Sequence, residues 1–149
     1  MKIVVDTNIV FSGILNTNSK IGDILLNSHK CFEFFSPDFL REEIERHKHK
    51  LITLSKLSSE QINEAFYFIT NSITFISEEQ IPSEIWMAAA DLVKNIDIND
   101  IVFVALADYL DAVLWTGDKK LLKGLTTKGF DQHLSTEEIY KLRREIENN

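Results

Sequence analysis

Two aspartates in the sequence come directly after segments that have the pattern of buried β-strands. Asp6 follows the β-branched apolar run of residues 3–5, and Asp118 lies three residues past Trp115 in the stretch WTGDKKL. In open parallel sheets, ligands bind outside the carboxyl ends of the strands. Both carboxylates are therefore expected at the edge of the sheet where a ligand would lie.

Two further acids can reach the same edge from helices. Glu43 lies beside the apolar stripe of a helix that contains Leu40 and Ile44, so its side chain can face inward. Asp100 lies in the first turn of an unusually apolar helix, NDIVFVALADYL. The sequence therefore predicts that carboxylates from four separate segments converge.

Carboxylates gathered in this way favour a divalent cation. Two of them about 4 Å apart repel by about 4 kcal/mol in an effective dielectric of about 20, and a bound cation removes that penalty. Mg²⁺ and Mn²⁺ take oxygen ligands, use few carboxylates and keep several waters, which leaves positions for phosphate oxygens. Such a site is suited to hydrolysis of a phosphodiester by a metal-activated water.

Each acid also has a purely structural interpretation. Asp6 can cap the helix that follows it, and Asp118 can start a turn or cap the next helix. Asp97 and Asp100 match an N-cap with a reciprocal acid at the third helical position. Glu43 lies close to two other acids, Glu42 and Glu45, so it can belong to a solvated helix face.

The elements that must position these acids alternate between strands and helices. The strand-like runs are Lys2 to Val5, Phe32 to Ser36, Ile73 to Ile76 and Ala112 to Trp115. Helical patterns lie between them, and a Ser135-Thr136-Glu137-Glu138 capping pattern begins a charged amphipathic helix at the end of the chain. Strands that alternate with helices indicate right-handed crossovers and a parallel sheet covered on both faces. The predicted fold class is α/β, in a single domain over residues 1–149.

Composition limits the classes of function. The chain has 149 residues, of which 44% are hydrophobic and 26% charged, and its net charge of −7 argues against a protein that coats DNA or a membrane surface. A metal-dependent nucleic-acid enzyme is still allowed, because a bound cation reverses the local field. The apolar runs are far shorter than the ~20 residues of a membrane span, so we expect no membrane association and a cytoplasmic location.

The segments VVDTNIVFSG, SPDFLREEIERH and DINDIVFVALADYLDAVLWTGDKKLL occur in this order over residues 2–122. Together they closely resemble the PIN domain family, which includes the VapC-type toxin ribonucleases. The resemblance implies a three-layer α/β/α sandwich with a central parallel sheet of four to five short strands. It also implies a Mg²⁺- or Mn²⁺-dependent endoribonuclease that cleaves single-stranded RNA. VapC-type toxins are commonly homodimers whose sites are blocked by an antitoxin protein, so the resemblance implies both kinds of partner.

Carried over by position, the family's acidic quartet matches Asp6, Glu43, Asp100 and Asp118, which would be the catalytic residues and the metal ligands. Supporting polar positions match Asn8 and Thr116, while Asp97 is either a fifth acid or a helix cap, and the cap is favoured. Glu42 is the alternative to Glu43, because a shift of one residue would exchange them. Glu43 is preferred because the family's helix acid is typically followed by an apolar residue, here Ile44.

Two other interpretations fit parts of the sequence. The chain can be a PIN-fold module that binds RNA or protein without catalysis, and this predicts binding without metal-dependent cleavage. Separately, the run His47-Lys48-His49-Lys50 has the composition of a metal site. Residues two apart on a helix do not face each other, so a solvated helix end is favoured for this run.

Overall fold

The strands form one parallel sheet at the centre of the chain. The computed structural model describes residues 1–96 and 100–149. Within these ranges the strands are β1 (Lys2–Val5), β2 (Glu33–Pro37), β3 (Ile73–Ile76), β4 (Val113–Trp115) and β5 (His133–Leu134). The four predicted strands are confirmed, two at the predicted bounds and two within one residue. The sequence did not locate β5, because two residues are too short to show a period.

Helices cover both faces of the sheet. In the described ranges they are α1 (Thr7–Leu15), α2 (Lys20–Asn27), α3 (Phe39–Arg46), α4 (Lys48–Ser55), α5 (Ser59–Asn71), α6 (Ser83–Val93), α7 (Ile101–Leu110), α8 (Lys119–Thr127) and α9 (Thr136–Glu147). A short 3-10 turn lies at Glu78–Gln80. The predicted capping pattern at the start of α9 is confirmed, since Ser135 and Glu138 form a reciprocal capping box. None of the helices in the described ranges combines the length and apolarity needed to cross a bilayer.

The order of the strands across the sheet is β3-β2-β1-β4-β5, and every pair is parallel. The chain leaves β1 in one direction to form β2 and β3, then returns to the other side of β1 to form β4 and β5. The order therefore reverses between β1 and β4. In sheets of this kind the crevice at the reversal is where ligands bind.

Alternation along β1 divides the apolar core into two clusters. Ile3 and Val5 pack into one cluster with residues of α1 to α5 and α9, whereas Val4 packs into the other with residues of α6, α7 and α8. This follows from the two-residue period of a strand, which sends neighbouring side chains to opposite faces. The result is the predicted three-layer α/β/α sandwich.

The apolar helix α7 is buried over five consecutive residues, 103–107. An amphipathic surface helix would expose some of them, so the pattern requires partners on most sides of the helix. It packs against α6 and against strands β1, β2 and β4. This packing fixes the start of α7, and with it Asp100, next to the end of the sheet.

At Gly22 the backbone of α2 closely approaches the backbone of Thr17. A Cβ atom at Gly22 would overlap the backbone oxygen of Thr17, which cannot move aside as a side-chain tip can. Gly22→Ala is therefore expected to lower the free energy of unfolding by about 1–3 kcal/mol, measured by urea denaturation.

Gly117→Ala is the matched control, because a Cβ atom there would meet nothing within 4 Å. Equal stability of the two variants would contradict the close approach at Gly22.

Candidate functional site

Asp6 lies in the crevice where the strand order reverses. Val5 pairs with Trp115 in the β1–β4 register, and the next backbone N–H, from Asp6, donates to the Trp115 carbonyl over 3.3 Å. Asp6 and Thr116 therefore follow neighbouring strands side by side. The Asp6 residue is only 5% exposed and Thr116 is fully buried, so the carboxylate is held almost out of water.

The carboxylate of Asp6 also caps helix α1. Its Oδ1 accepts a hydrogen bond from the Ile9 backbone N–H at 3.0 Å. The structural interpretation of Asp6 as a cap is thus correct in geometry, and it does not exclude a second role. An ionised carboxylate has about four lone-pair positions, and a cap uses only some of them.

Burial raises the pKa of the Asp6 carboxyl above its ordinary value of 3.8. The nearby charge of Asp118 raises it further, while hydrogen bonds from the Thr116 side chain and from the backbone N–H groups of Ile9 and Asn8 lower it. Desolvation is the largest of these effects, so the ionised form of Asp6 is unfavourable here. A cation beside the carboxylate would remove that penalty.

Asp118 is connected to Asp6 through Thr116. The backbone N–H of Asp118 donates to the Thr116 hydroxyl oxygen at 3.1 Å, and its own Oδ1 accepts from the Leu121 N–H at 3.1 Å. Asp118 therefore caps α8, as the structural interpretation predicted. It acts electrostatically on Asp6, although it does not line the cavity into which Asp6 opens.

Asp6 opens into a cavity of about 420 Å³ at the carboxyl end of the sheet. Three of the four predicted acids line it, and they come from separate elements: Asp6 after β1, Glu43 on α3 and half-buried Asp100 before α7. Asp100 is the residue that precedes α7 and not a member of its first turn, because the helix begins at Ile101. The remaining lining residues are Thr7, Asn8, Phe39 and Phe103.

The structure treats Glu42 and Glu43 differently. Glu43 lines the cavity and its carboxylate lies 3.5 Å from Arg46 and 3.8 Å from His47. Glu42 is exposed and does not line this cavity. The side chain of Glu43 is itself 30% exposed, so its ion pair with Arg46 is weak and leaves it able to turn to another cation.

Two aromatic residues of the cavity were not identified from the sequence. Phe39 and Phe103 have ring centroids 5.7 Å apart and form an apolar wall of the cavity. The backbone N–H of Phe39 donates to Glu78 Oε1 at 2.7 Å, which anchors the start of α3. The pattern SPDFL placed Phe39 only on the apolar face of its helix, and no sequence signal distinguished it from core.

The described acids do not form a compact metal cage. No group of three or more Asp, Glu, His or Cys side chains within residues 1–96 and 100–149 is arranged to hold a metal ion. Asp97, the remaining predicted acid, lies outside the described residues. The donor set is made of oxygen atoms, which suits a hard cation, and Mg²⁺ usually binds through one or two carboxylates while it keeps several waters.

Comparisons with known proteins agree with this architecture. A sequence profile described as the PIN domain matches residues 4–143. Among solved structures, the chain is similar to one in the crystal structure of VapBC2 from Rickettsia felis bound to a DNA fragment from their promoter. The TM-score is 0.65 at 14% sequence identity, covering 91% of this chain and 97% of that chain. At this identity the likeness concerns the fold. The search of curated proteins gave no match.

The raised pKa of Asp6 predicts how stability changes with pH. Because the folded-state pKa is above 3.8, ionisation destabilises the folded state as pH rises from that value through the folded-state pKa. Asn also caps helices well and carries no charge. In metal-free buffer, the free energy of unfolding of Asp6→Asn is therefore expected to increase relative to that of the wild type as pH rises from about 4 to about 7.

The control is Asp131→Asn, which changes an exposed loop aspartate. Urea denaturation at each pH measures both differences. A difference for Asp6→Asn that stays constant with pH, or shifts towards the wild type, would show that the Asp6 pKa is not raised.

Proposed function

Because the chain belongs to the PIN domain family, we propose that it is a Mg²⁺- or Mn²⁺-dependent endoribonuclease that hydrolyses phosphodiester bonds in single-stranded RNA. The observation that carries this proposal is the acid-lined cavity at the strand-order reversal, where Asp6, Glu43 and Asp100 come from three separate elements. Its position matches the rule for ligand sites in open parallel sheets.

In this proposal Asp6, Glu43 and Asp100 hold the cation, and Asp118 contributes negative charge from beside Asp6. The desolvated carboxylate of Asp6 supports this assignment, since its ionised form lacks a compensating charge. The scattered acids are also consistent with Mg²⁺, because an ion that keeps its waters can be held by some carboxylates directly and by others through water. Asp97 remains a candidate fifth acid.

When bound, the metal would supply the positive charge that makes a water nucleophilic at neutral pH and stabilises charge on the phosphate in the transition state. The protein's own residues fix the site around it. The Thr116 side chain hydrogen-bonds to the Asp6 carboxylate, and its hydroxyl oxygen also accepts a hydrogen bond from the Asp118 backbone N–H. Phe39 and Phe103 lower the local dielectric, which strengthens the interaction of the acids with a cation. Asn8, exposed at the rim, can hydrogen-bond to the substrate.

We further propose that the enzyme is the toxin of a type II toxin–antitoxin pair and acts in the cytoplasm. The fold likeness to a chain of VapBC2 supports this proposal. An antitoxin protein would block the site, and the enzyme would be a homodimer. Detection of a co-purifying small protein that inhibits cleavage would separate this role from that of other PIN nucleases.

A second candidate function is a PIN-fold module that binds RNA or protein and does not cleave. Two observations favour it: Asp6 and Asp118 each cap a helix, and no compact group of metal ligands lies within the described ranges. Cleavage of RNA by the wild type in Mn²⁺ would exclude this candidate.

Substitution of the acids tests the catalytic assignment. Asp6→Asn keeps the cap of α1 but removes a charged metal ligand. Loss of an outer-shell partner of a metal site costs up to about 100-fold in activity. The rate of cleavage of single-stranded RNA in Mn²⁺ should therefore fall by more than this for Asp6→Asn. Glu43→Gln should also lower cleavage strongly. Gel analysis of a labelled RNA measures the rates, and circular dichroism confirms that the variants fold.

Glu42→Gln is the matched control for Glu43→Gln, because the two residues are adjacent and only Glu43 lines the cavity. Its rate should stay near that of the wild type. If Asp6→Asn cleaves as fast as the wild type, or if Glu42→Gln is the impaired member of the pair, the proposed set of acids is incorrect.

Metal binding is measured separately from catalysis. Mn²⁺ is expected to stabilise the wild type against thermal unfolding, by about 2.7 kcal/mol at a concentration 100-fold above its Kd. Asp6→Asn should lose most of this gain because the buried ligand is neutral. The Asp131→Asn variant should keep it. An equal metal-dependent stabilisation of Asp6→Asn and the wild type would place the ion elsewhere.

A further inference from the structure

A second, smaller cavity adjoins the acid-lined one. It has a volume of about 240 Å³, and Asn8 lines both cavities. Its walls include Phe11 and Leu54, together with His47 and Lys50. We call this cavity the aromatic slot. The volume of the slot is smaller than the roughly 300 Å³ of the smallest cavities that hold drug-sized ligands. Its natural occupant is therefore a small group or part of a larger molecule.

The rings of Phe11 and His47 meet in the aromatic slot. Their centroids are 6.0 Å apart with an interplanar angle of 75°, so the edge of one ring points at the face of the other. Phe11 packs partly against the core, and His47 is half-buried between α3 and α4. Neither ring is fully buried, so both can contact a planar ligand that enters the slot.

The run His47-Lys48-His49-Lys50, which the catalytic site does not use, divides between the aromatic slot and solvent. His47 and Lys50 are three residues apart, which places them on one face of the helical backbone. Both line the slot, whereas Lys48 and His49 do not. The composition of the run thus has a local explanation that does not involve a metal ion.

The two cavities carry opposite kinds of charge. The ionisable residues that line the acidic cavity are Asp6, Glu43 and Asp100, whereas those that line the aromatic slot are His47 and Lys50. A polyanion with flat apolar groups matches this arrangement, because its phosphates favour Lys50 and its bases favour the rings. Single-stranded nucleic acid is bound in this way elsewhere, through aromatic stacking beside positive charge.

We propose that the aromatic slot is the subsite for one unstacked base of the RNA substrate, in the nucleotide next to the phosphate that is cleaved. Phe11 and His47 hold the base, and Lys50 contacts the phosphate on the side away from the acids. This inference rests on the proposed function, since the shared residue Asn8 connects the slot to the site of cleavage. The subsite favours unpaired RNA, because a base inside a duplex must first be unpaired and unstacked before it can enter the slot.

The test measures binding of a fluorescein-labelled, unstructured oligoribonucleotide by fluorescence anisotropy. The Asp6→Asn background prevents cleavage, and His47→Gln and Phe11→Leu are each added to it. Each added substitution is expected to weaken binding by about tenfold, as loss of one stacked base does. His49→Gln, which changes the same residue type outside the slot, should leave the affinity unchanged.

A second measurement distinguishes a contact with phosphate from a loss of folding. Lys50→Gln is expected to reduce the slope of log K against log salt concentration by about 0.7, as removal of one phosphate contact does for a single strand. Lys48→Gln should leave the slope unchanged. A structural defect would lower the affinity without this change in slope.

Failure of this proposal can be told from failure of the proposed function. If the wild type cleaves RNA in Mn²⁺ but the affinities of His47→Gln and Phe11→Leu match that of the background, the slot does not bind a base, and an apolar peptide segment becomes its better occupant. Absence of RNA binding by the background protein would also overturn the subsite. If binding depends on the slot but the wild type does not cleave, the subsite stands and the catalytic assignment fails.

Discussion

The carboxylate of Asp6 is held almost out of water at the end of the central strand, and most features of the site depend on this one placement. A buried carboxylate is unfavourable unless its charge is compensated. The protein compensates it in part, through the Thr116 side chain and the N–H groups at the start of α1. The charge that remains attracts a cation, and the neighbouring Asp118 adds to that attraction. The fold therefore tolerates an unfavourable group at the position where a metal ion would be useful.

The structural and catalytic interpretations of the acids do not exclude each other. Asp6 and Asp118 both cap helices, and in each case Oδ1 accepts the capping N–H. A cap limits the rotation of the carboxyl group, so the side chain is already oriented when a ligand arrives. The same hydrogen bonds thus stabilise α1 and α8 and fix two negative charges beside Thr116. A substitution at either position changes both properties, which is why Asn, a good cap without charge, is the informative replacement at Asp6.

Helix α3 and the turn that follows it connect the acidic cavity to the aromatic slot. The start of the helix is anchored by Glu78, which accepts from the Phe39 N–H, and its last turn carries Glu43. His47 ends the helix and lies 3.8 Å from Glu43, so one element contributes an acid to the first cavity and a ring to the second. A movement of α3 would change both cavities together. The proposed recognition of a base and the proposed cleavage of its neighbouring phosphate therefore both depend on the position of this helix.

The sequence by itself determined the fold class, the bounds of four strands within one residue and the segments that carry the acids, because these depend on local periodicity and capping chemistry. It also indicated that Asp6 and Asp118 follow strands. The helical pattern favoured Glu43 over Glu42, because only Glu43 lies beside the stripe of Leu40 and Ile44. The tertiary structure decided that this side of α3 lines a cavity, because the packing of α3 on the sheet sets which side of the helix meets the site. The apolar wall of Phe39 and Phe103 and the aromatic slot have the same origin. Their residues are distant in the chain, and their side chains meet because of the order of the strands and the packing of helices on the sheet, which no local pattern records.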